Sequence, residues 1–565
     1  MHKRHISIFA LLIFAWPCFA TRPLISPAQN IEKVVLITDR SVYITTEQVK
    51  FFASLSAGKD GSNPVESEIL YCEIITPDGN RIAGNKYLIS DNSVSGCIDI
   101  PENLVSGAYY IRAYTKVMRN NGPESYGYNQ VLIINPYRDE VLAKNNKSQG
   151  SATQAVPLKS RSMSDALFVS ADKNSYVARE TVTVSLSLAP VNEDGENIPL
   201  NNVCLSVIPG NYISKPVAVV RADKKLAGKT DYYPETRGLS ITGKLTENPA
   251  GIPVIDKKVN LSIIGEGRDF MSVRTDSTGQ FHFAMPSYTG TRDLFVCAEK
   301  TDSVKVKIWV DNDFCTLPIQ LPSPAINLSE NDLSNLQDMA QNVQISAHYY
   351  TDSVKNTRNP KIEKYPFYGK PSNIIYIDKY IQLPTLEEYF NELPSEVKVR
   401  KRKGQPRFDV LGTRGVSLYE PLVMVDYVAV DEPAKVLAAS PQNISRIEVV
   451  KDDYIKGGQT YGGVVSIISK KADFAGIDLP SAGIFINFSF LSENTCNTAG
   501  YDFTAGHPDS RNTVLWKPGI KINNGTTEKY TFTAPDTPGT YTIMIEGINK
   551  KGEMVTVTGA FEVTK

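Results

Sequence analysis

Short runs of alternating apolar and polar residues, rich in Val, Ile, Thr, Tyr and Phe, recur along the chain between clusters of Asn, Asp, Gly and Pro. Val34–Thr38, Gln48–Leu55, Ile69–Thr76, Ala108–Tyr114 and Gln130–Ile134 are typical. A period of two over about four to eight residues is the mark of a half-buried strand. The turn Thr76-Pro77-Asp78-Gly79-Asn80 has its own mechanism: Pro presets φ and Gly supplies a positive one. Such spacing predicts β-sandwiches. Helical period is confined to two places. In Leu328–Ile345 the residues Leu333, Leu336, Ala340 and Val343 share a face behind a Ser329/Asp332 capping box. This helix is expected to pack against a neighbouring sandwich. Pro384–Phe390 opens a shorter helix with Thr385 and Glu388 as its box.

One pattern is repeated. Asp39-x-x-x-Tyr43-x-x-x-Glu47-x-Val49 returns as Asp172-x-x-x-Tyr176-x-x-x-Glu180-x-Val182, each position displaced by 133 residues. Both copies open a strand-rich segment, which predicts two related sandwiches, at 31–136 and 165–235. The polar residues 137–164 between them read as a linker. A third sandwich is expected at 236–320, the helix at 328–345, a small α/β unit at 374–480 and a separate sandwich-like unit at 481–565. The expected fold class is therefore mainly β: several immunoglobulin- or macroglobulin-like sandwiches in tandem plus one small α/β domain.

The first residues change the setting. His2, Lys3, Arg4 and His5 precede the apolar run Ile6–Ala15, and Cys18-Phe19-Ala20 offers small residues for cleavage before Thr21. Residues 1–20 read as a secretory signal, too short to span a bilayer. Lipidation at Cys18 is the alternative reading. Removal of residues 1–20 takes away Lys3 and Arg4 and no acid, moving the formal charge from −1 to −3. So weak a charge argues against nucleic acid as the partner. Six cysteines remain: Cys72, Cys97, Cys204, Cys297, Cys315 and Cys496. None has CxxC spacing, which argues against structural zinc. Cys72–Cys97 and Cys297–Cys315 are candidate local disulfides, with buried free thiols the equal alternative.

Three resemblances add to this. Ser445–Lys471, with Ile447-Glu448-Val449-Val450-Lys451-Asp452 followed by Gly462-Gly463-Val464-Val465-Ser466-Ile467-Ile468, resembles the second half of the plug domain of TonB-dependent outer-membrane receptors. Leu383–Tyr389 and Pro421–Val430 extend that likeness over 374–480, with Tyr427 where the plug usually carries Gly. The pattern of residues 472–565 does not support the membrane barrel that follows a plug in receptors; such a barrel needs at least about eight strands of 9–11 residues. The glycines of the closing strand are expected to permit close backbone approach. Asp39-Arg40-x-x-Tyr43, Thr76–Asn80 and Ser106–Thr115 resemble the MG2 domain of α2-macroglobulins, whose Gly-Cys-x-Glu-Gln thioester signature is missing after Gly96-Cys97. Gly243–Leu245, Val259–Leu261 and Thr275–Phe283 resemble the carboxypeptidase-regulatory-like sandwich. This order of modules is similar to envelope proteins of Bacteroidetes-type bacteria.

Candidate chemistry is sparse. Three histidines lie beyond the signal, His282, His348 and His507, and no HExxH, GxSxG or Walker A pattern occurs. His282 is expected to point outward between Phe281 and Phe283. Asp452-Asp453 and Glu387-Glu388 read as loop and helix-surface charges rather than an acid/base pair. Asp276 reads as a turn cap, with calcium ligation the alternative. No catalytic, cofactor-binding or metal residue is expected. The basic run Lys398, Arg400, Lys401, Arg402, Lys403 and Arg407 reads as a solvated hairpin that resists edge pairing; peripheral contact with anionic lipid headgroups is the functional alternative. The expected role is non-catalytic protein–protein binding in the periplasm or at the outer membrane, as scaffold or accessory of a receptor or transport complex. A carbohydrate- or peptide-binding accessory of a nutrient importer, using Tyr349-Tyr350 or Tyr365–Tyr368, is the second reading. A macroglobulin-like protease inhibitor is the third.

Overall fold

The structure is a computed structural model that describes residues 31–58, 63–142, 160–162, 167–189, 200–210, 232–265, 268–300, 305–349, 365–402, 404–412, 416–492, 496, 507–523, 525–548 and 554–565. The residues 1–20 read as a signal, Cys18 and Lys403 lie outside them, as do most of residues 137–164, expected to be a linker.

The first sandwich uses β1 (Glu32–Thr38), β2 (Val42–Ile44), β3 (Gln48–Ala57), β4 (Ile69–Ile75), β5 (Arg81–Leu88), β6 (Ser93–Asp99), β7 (Gly107–Tyr114) and β8 (Gly127–Ile134). One sheet runs β1-β3-β6 and the other β2-β8-β7-β4-β5, with β2 and β8 parallel. Alternate side chains of both sheets, such as Phe51, Val49, Ile74 and Ile111, fill the space between. The β4–β5 hairpin turns at Thr76–Asn80 as its residues demand. Gly79 has φ +88°, and the Gly79 amide donates to the Thr76 carbonyl at 2.9 Å.

The second sandwich starts with β9 (Ser160–Ser162), β10 (Leu167–Ala171), β11 (Ser175–Val177), β12 (Thr181–Leu188) and β13 (Leu200–Pro209), then breaks off. The chain goes on to a third sandwich, β14 (Ser240–Glu247), β15 (Lys258–Ile264), β16 (Asp269–Arg274), β17 (Gln280–Ala284), β18 (Thr291–Ala298) and β19 (Val306–Val310), and then to helix α1 (Glu330–Tyr349). An α/β unit follows. It contains β20 (Asn373–Tyr376), α2 (Leu386–Glu392), β21 (Val397–Arg402), β22 (Gln405–Val410), β23 (Leu422–Val425), β24 (Val428–Ala429), α3 (Pro433–Leu437), β25 (Ile444–Val450), β26 (Tyr454–Lys456), β27 (Gln459–Tyr461) and β28 (Val464–Ser469). Its sheet runs β20-β25-β28-β23-β24.

The chain then retraces its path. β29 (Ile484–Ser489) pairs antiparallel with β18 and completes the sheet β16-β15-β18-β29 of the third sandwich. Finally β30 (Leu515–Ile522), β31 (Thr527–Thr533), β32 (Gly539–Ile548) and β33 (Met554–Thr564) complete the second sandwich as β10-β12-β31 and β11-β33-β32-β13-β30. The α/β unit is thus inserted in the third sandwich, and both are inserted in the second. This corrects the division of the chain at 165–235 and 481–565. Neither half is a unit by itself, because β13 finds both its neighbours, β30 and β32, in the last segment. It also corrects the linker, since Ser160–Ser162 pairs with β33.

Apart from β9, which adds to β33, the two related sandwiches match strand for strand. β1-β3-β6 corresponds to β10-β12-β31, and β2-β8-β7-β4-β5 to β11-β33-β32-β13-β30. The insertion lies between β13 and β30, where the first sandwich has only the Thr76–Asn80 turn.

The first and third sandwiches share one continuous apolar core. Charged groups are buried with it. Arg112 and Glu73 are both fully buried and paired at 2.6 Å, and Arg112 Nη2 also donates to the Cys315 carbonyl at 3.0 Å. Lys116 Nζ donates to Ser240 Oγ at 2.8 Å, and Tyr71 donates to Glu235 at 3.1 Å. Lys86 pairs with Asp313. Removing one partner of such a pair leaves an uncompensated buried charge, and the bonds to Cys315, Ser240, Glu235 and Asp313 join the first sandwich to the segments around the third. Helix α1 begins with the expected box: Ser329 N donates to Asp332 at 2.9 Å, and Asp332 N donates to Ser329 Oγ at 3.2 Å. It packs on the first sandwich, where Leu336, Met339 and Ala340 cover Val42 and Ile44.

Candidate docking surface

The α/β unit is anchored by one sheet face and leaves other parts open. Its inner face buries Ile375, Ile447, Val449, Val465 and Ile467 under α2, α3 and the β21–β22 hairpin. Thr385 caps α2, accepting from Glu388 N at 3.3 Å. The opposite face carries Leu422, Met424, Val464 and Ile468 and meets Phe270 of β16 through Phe367, Tyr368 and Tyr461. Charges close that seam. Lys456 pairs with Asp269 at 2.8 Å, Lys258 with Asp431 at 3.5 Å and Lys300 with Glu432 at 2.6 Å. Burial pushes the Asp431 carboxyl up, and Lys258 opposes it.

The closing strand shows why Gly462 and Gly463 are there. A Cβ at Gly462 would stand 2.1 Å from the Val416 carbonyl oxygen. At Gly463, where φ is +88°, a Cβ would stand 2.5 Å from the Val450 carbonyl oxygen. The β23–β24 turn keeps its tight form without Gly: Asp426 and Tyr427 have φ +47° and +70°, as a two-residue hairpin requires. Asp426 holds it by accepting from Ser469 N at 2.8 Å, Ser469 Oγ at 2.6 Å and Phe474 N at 2.9 Å. The Tyr427 ring is stacked on Tyr368 and covered by Arg268 at 4.5 Å. Packing offsets the strain of a left-handed Tyr.

Among the described residues, strand β20 ends the sheet and pairs only with β25. Ile375 faces the core, while Ile374 and Tyr376 are exposed on the other side, and Tyr380 and Ile381 follow, Ile381 being 88% exposed. Below them Glu448 is buried, accepting from Tyr368 at 2.6 Å and Arg446 at 2.6 Å. The β21–β22 hairpin adjoins β20 through Asn373, whose amide donates to Glu396 at 3.0 Å. On that hairpin Lys398, Arg400, Lys401 and Arg402 are exposed; Arg400 and Arg407 both pair with Asp409, at 3.3 and 2.6 Å. The surface therefore combines a strand edge, four large apolar side chains and a flank of positive charge. Chemically it can receive an extended chain with apolar and acidic side chains. The exposed edge was not legible in the sequence, because the alternation of Asn373–Tyr376 does not say which face is covered.

Tyr365 is exposed, but Phe367 and Tyr368 are packed in the seam, so residues 365–368 form no aromatic platform. Tyr349 lies at the end of α1 beside His348 and His507, at ring distances of 4.9 and 5.3 Å; Tyr350 is outside the described residues. His282 points outward from β17. Asp276 caps its turn by accepting from Thr278 N at 2.8 Å and Gln280 N at 2.9 Å. Asp452-Asp453 lie in an exposed loop and Glu387-Glu388 in the first turn of α2. Among the described residues no group of three His, Cys, Asp or Glu side chains could hold a metal ion, and no helix is long and apolar enough to cross a membrane. The proposed local disulfides are not made: Cys72, Cys97, Cys297 and Cys315 are buried free thiols. Cys72 lies in the sandwich core with β4 while Cys97 is on β6 of the opposite sheet. Cys297 packs with Val428, while Cys315 is held by Tyr114, Tyr126 and Arg112. A cleft of about 760 Å³ also opens between α1 and the first sandwich, lined by Val141, Leu142, Ile326, Leu328 and Leu333.

The fold defines a mainly β chain of nested sandwiches carrying one α/β unit. No family model matches it, and no curated protein matches it significantly. Among solved structures it is similar to a Salmonella α2-macroglobulin at 10% identity over 94% of this chain and 39% of that one, TM-score 0.23. It is similar also to Escherichia coli α2-macroglobulin activated by porcine elastase, at 10% identity over 94% of this chain and 44% of that one, TM-score 0.24. The Yersinia pseudotuberculosis adhesin InvE matches 51% of this chain and 61% of its own at 11% identity, TM-score 0.15. The chain spans about two-fifths of the length of these α2-macroglobulins. With TM-scores this low, the matches bear on neither detailed fold nor activity.

Proposed function

We propose that the chain is a non-catalytic binding protein of the cell envelope, and that its plug-like α/β unit docks an extended segment of an outer-membrane or periplasmic protein. The observation that carries this reading is the β20 edge, unpaired among the described residues, with Ile374, Tyr376, Tyr380 and Ile381 exposed beside a basic hairpin. Main-chain hydrogen bonds along a strand edge give affinity, and alternating side chains give specificity. The sandwiches serve as a rigid mount for the unit. The signal-like pattern of residues 1–20 supports work outside the cytoplasm, and the likeness of residues 374–480 to receptor plugs favours a partner at the outer membrane.

The test is a crosslinking pull-down from native envelopes with tagged wild type and an Ile374→Asp, Tyr376→Asp variant, read by mass spectrometry. Recovery of one stoichiometric envelope protein with the wild type and its loss with the variant supports the reading. Equal recovery with both chains, or recovery of no envelope protein, overturns it.

A further inference from the structure

Where the chain leaves the third sandwich it crosses the first. Ser492 N donates to the Lys86 carbonyl at 2.8 Å, Lys86 Nζ donates to the Ser489 carbonyl, and Leu491 bridges Lys86 of β5. A few residues on, the Cys496 thiol is in hydrogen-bonding contact with that of Cys97 on β6. The surroundings agree on the placement. Lys50 stands opposite Cys97 across the β3–β6 ladder, and Lys50 and Asp99 act electrostatically on both thiols. Tyr87, whose hydroxyl donates to the Cys97 carbonyl at 2.5 Å, is acted on by both as well. The two residues lie 399 apart in sequence (97 and 496), so no spacing rule could pair them. The remaining cysteines, Cys72, Cys204, Cys297 and Cys315, are each buried.

We propose that Cys97 and Cys496 form a disulfide that ties the returning chain to the first sandwich. Cys496 is the partly exposed member, and Cys97 is buried. Burial pushes the Cys97 thiol up and keeps it from solvent, whereas Cys496 can be reached by an oxidant. The accessible Cys496 is therefore the thiol that attacks first, as its thiolate. It attacks the disulfide of a small-molecule or protein oxidant of the thiol–disulfide class, and one oxidant sulfur leaves as a thiolate. Cys97, losing its proton, then displaces the second oxidant sulfur from Cys496. One S–S bond forms in the chain and one breaks in the oxidant; two electrons and two protons pass to the oxidant, which ends as a dithiol or two thiols. The bond fixes the crossing between β29 and β30 against β6, and with it the mutual position of all three sandwiches.

The test uses the full chain, treated with oxidised glutathione, denatured and alkylated. The expected result is a loss of two alkylatable thiols and one linked peptide pair containing Cys97 and Cys496. Dithiothreitol should then lower the thermal midpoint of the wild type, and leave that of a Cys496→Ser variant unchanged. An unaltered thiol count, a different linked pair, or glutathione retained on Cys496 with Cys97 free overturns the proposal. These readouts do not depend on any docking partner, so they fail or succeed independently of the proposed function.

Discussion

The corner motif occurs twice, once buried and once open, and the pair separates what local sequence makes from what burial adds. In both copies a Tyr hydroxyl donates to an Asp four residues earlier, Tyr43 to Asp39 at 2.7 Å and Tyr176 to Asp172 at 2.6 Å. In both the same Asp oxygen accepts from the next strand, from Lys50 N at 3.1 Å and Thr183 N at 2.8 Å. In both a Glu accepts from the backbone after the Tyr, Glu47 from Ile44 N at 2.7 Å and Glu180 from Val177 N at 3.0 Å. Around the first copy the rest of the molecule closes. Thr513 donates to Asp39 at 2.6 Å and accepts from Arg40 at 2.7 Å, Arg40 pairs with Glu47 at 2.6 Å, and Asn512 donates to Glu47 at 2.9 Å. Around the second, Lys173 pairs with Glu180 and Arg179 with Asp536 at 2.8 Å, all near water. The motif therefore forms from short-range hydrogen bonds alone, and its energetic weight comes from context.

The largest expected difference is between the two arginines. Arg40→Ala leaves Asp39 and Glu47 buried without their cation and should cost the first sandwich about 3–5 kcal/mol. Arg179→Ala breaks a surface pair and should cost about 0–1 kcal/mol. Hydrogen exchange of β2 and β11 reads the two sandwiches separately; equal losses would break the comparison.

Next comes a pH effect confined to the second sandwich. Burial pushes Glu546 of β32 up to about 7. The folded state then holds a proton that the unfolded chain gives up at the ordinary carboxylate value, so stability declines as pH rises from about 4.5 to 7 and stays lower above. Glu546→Gln should raise stability at pH 8 by about 1–3 kcal/mol and change it little at pH 4.5. A gain of the same size at both pH values would sink the assignment to ionisation.

Of similar size is the loss of the phenol hydroxyls. Tyr43→Phe removes a buried hydrogen bond to a carboxylate and should cost about 1.5–3 kcal/mol, Tyr176→Phe about 0.5–1.5. Urea denaturation of the two variants side by side measures the ratio. At the bottom, Lys173→Ala should leave the thermal midpoint where it is, since both its partner and itself are in solvent.

What could be read in the sequence was what short spans encode. The strands alternate as Phe51, Ala53 and Leu55 do, the α1 box forms, Thr385 caps α2 without the returning bond from Glu388, Asp276 caps its turn, and the repeated corner is the same structure twice. What could not be read was pairing over distance. Val203, Leu205 and Val207 announce a strand, yet nothing near them names Leu515–Ile522 and Gly539–Ile548 as its neighbours. The boundary placed at 481 failed for the same reason, since Ile484–Ser489 belongs to β18 of the third sandwich. Cys97 illustrates it at the scale of one side chain, its facing thiol being at Cys496. Even Leu333, on the apolar stripe of α1, is half exposed at the rim of a cleft whose other wall comes from residues 134–142.

The doubly nested path also sets a schedule for making the molecule. The first sandwich has all its strands by Ile134 and can close while the remainder is being synthesised. β13 cannot, for both strands that flank it lie beyond Leu515. At a synthesis rate of about 5–20 residues per second, roughly 15–60 s separate β13 from β30. Throughout that interval an apolar strand waits with two vacant edges, and the inner units must finish before the outer one shuts around their stems. A ribosome stopped anywhere between Pro209 and Leu515 therefore releases a chain whose second sandwich is half built.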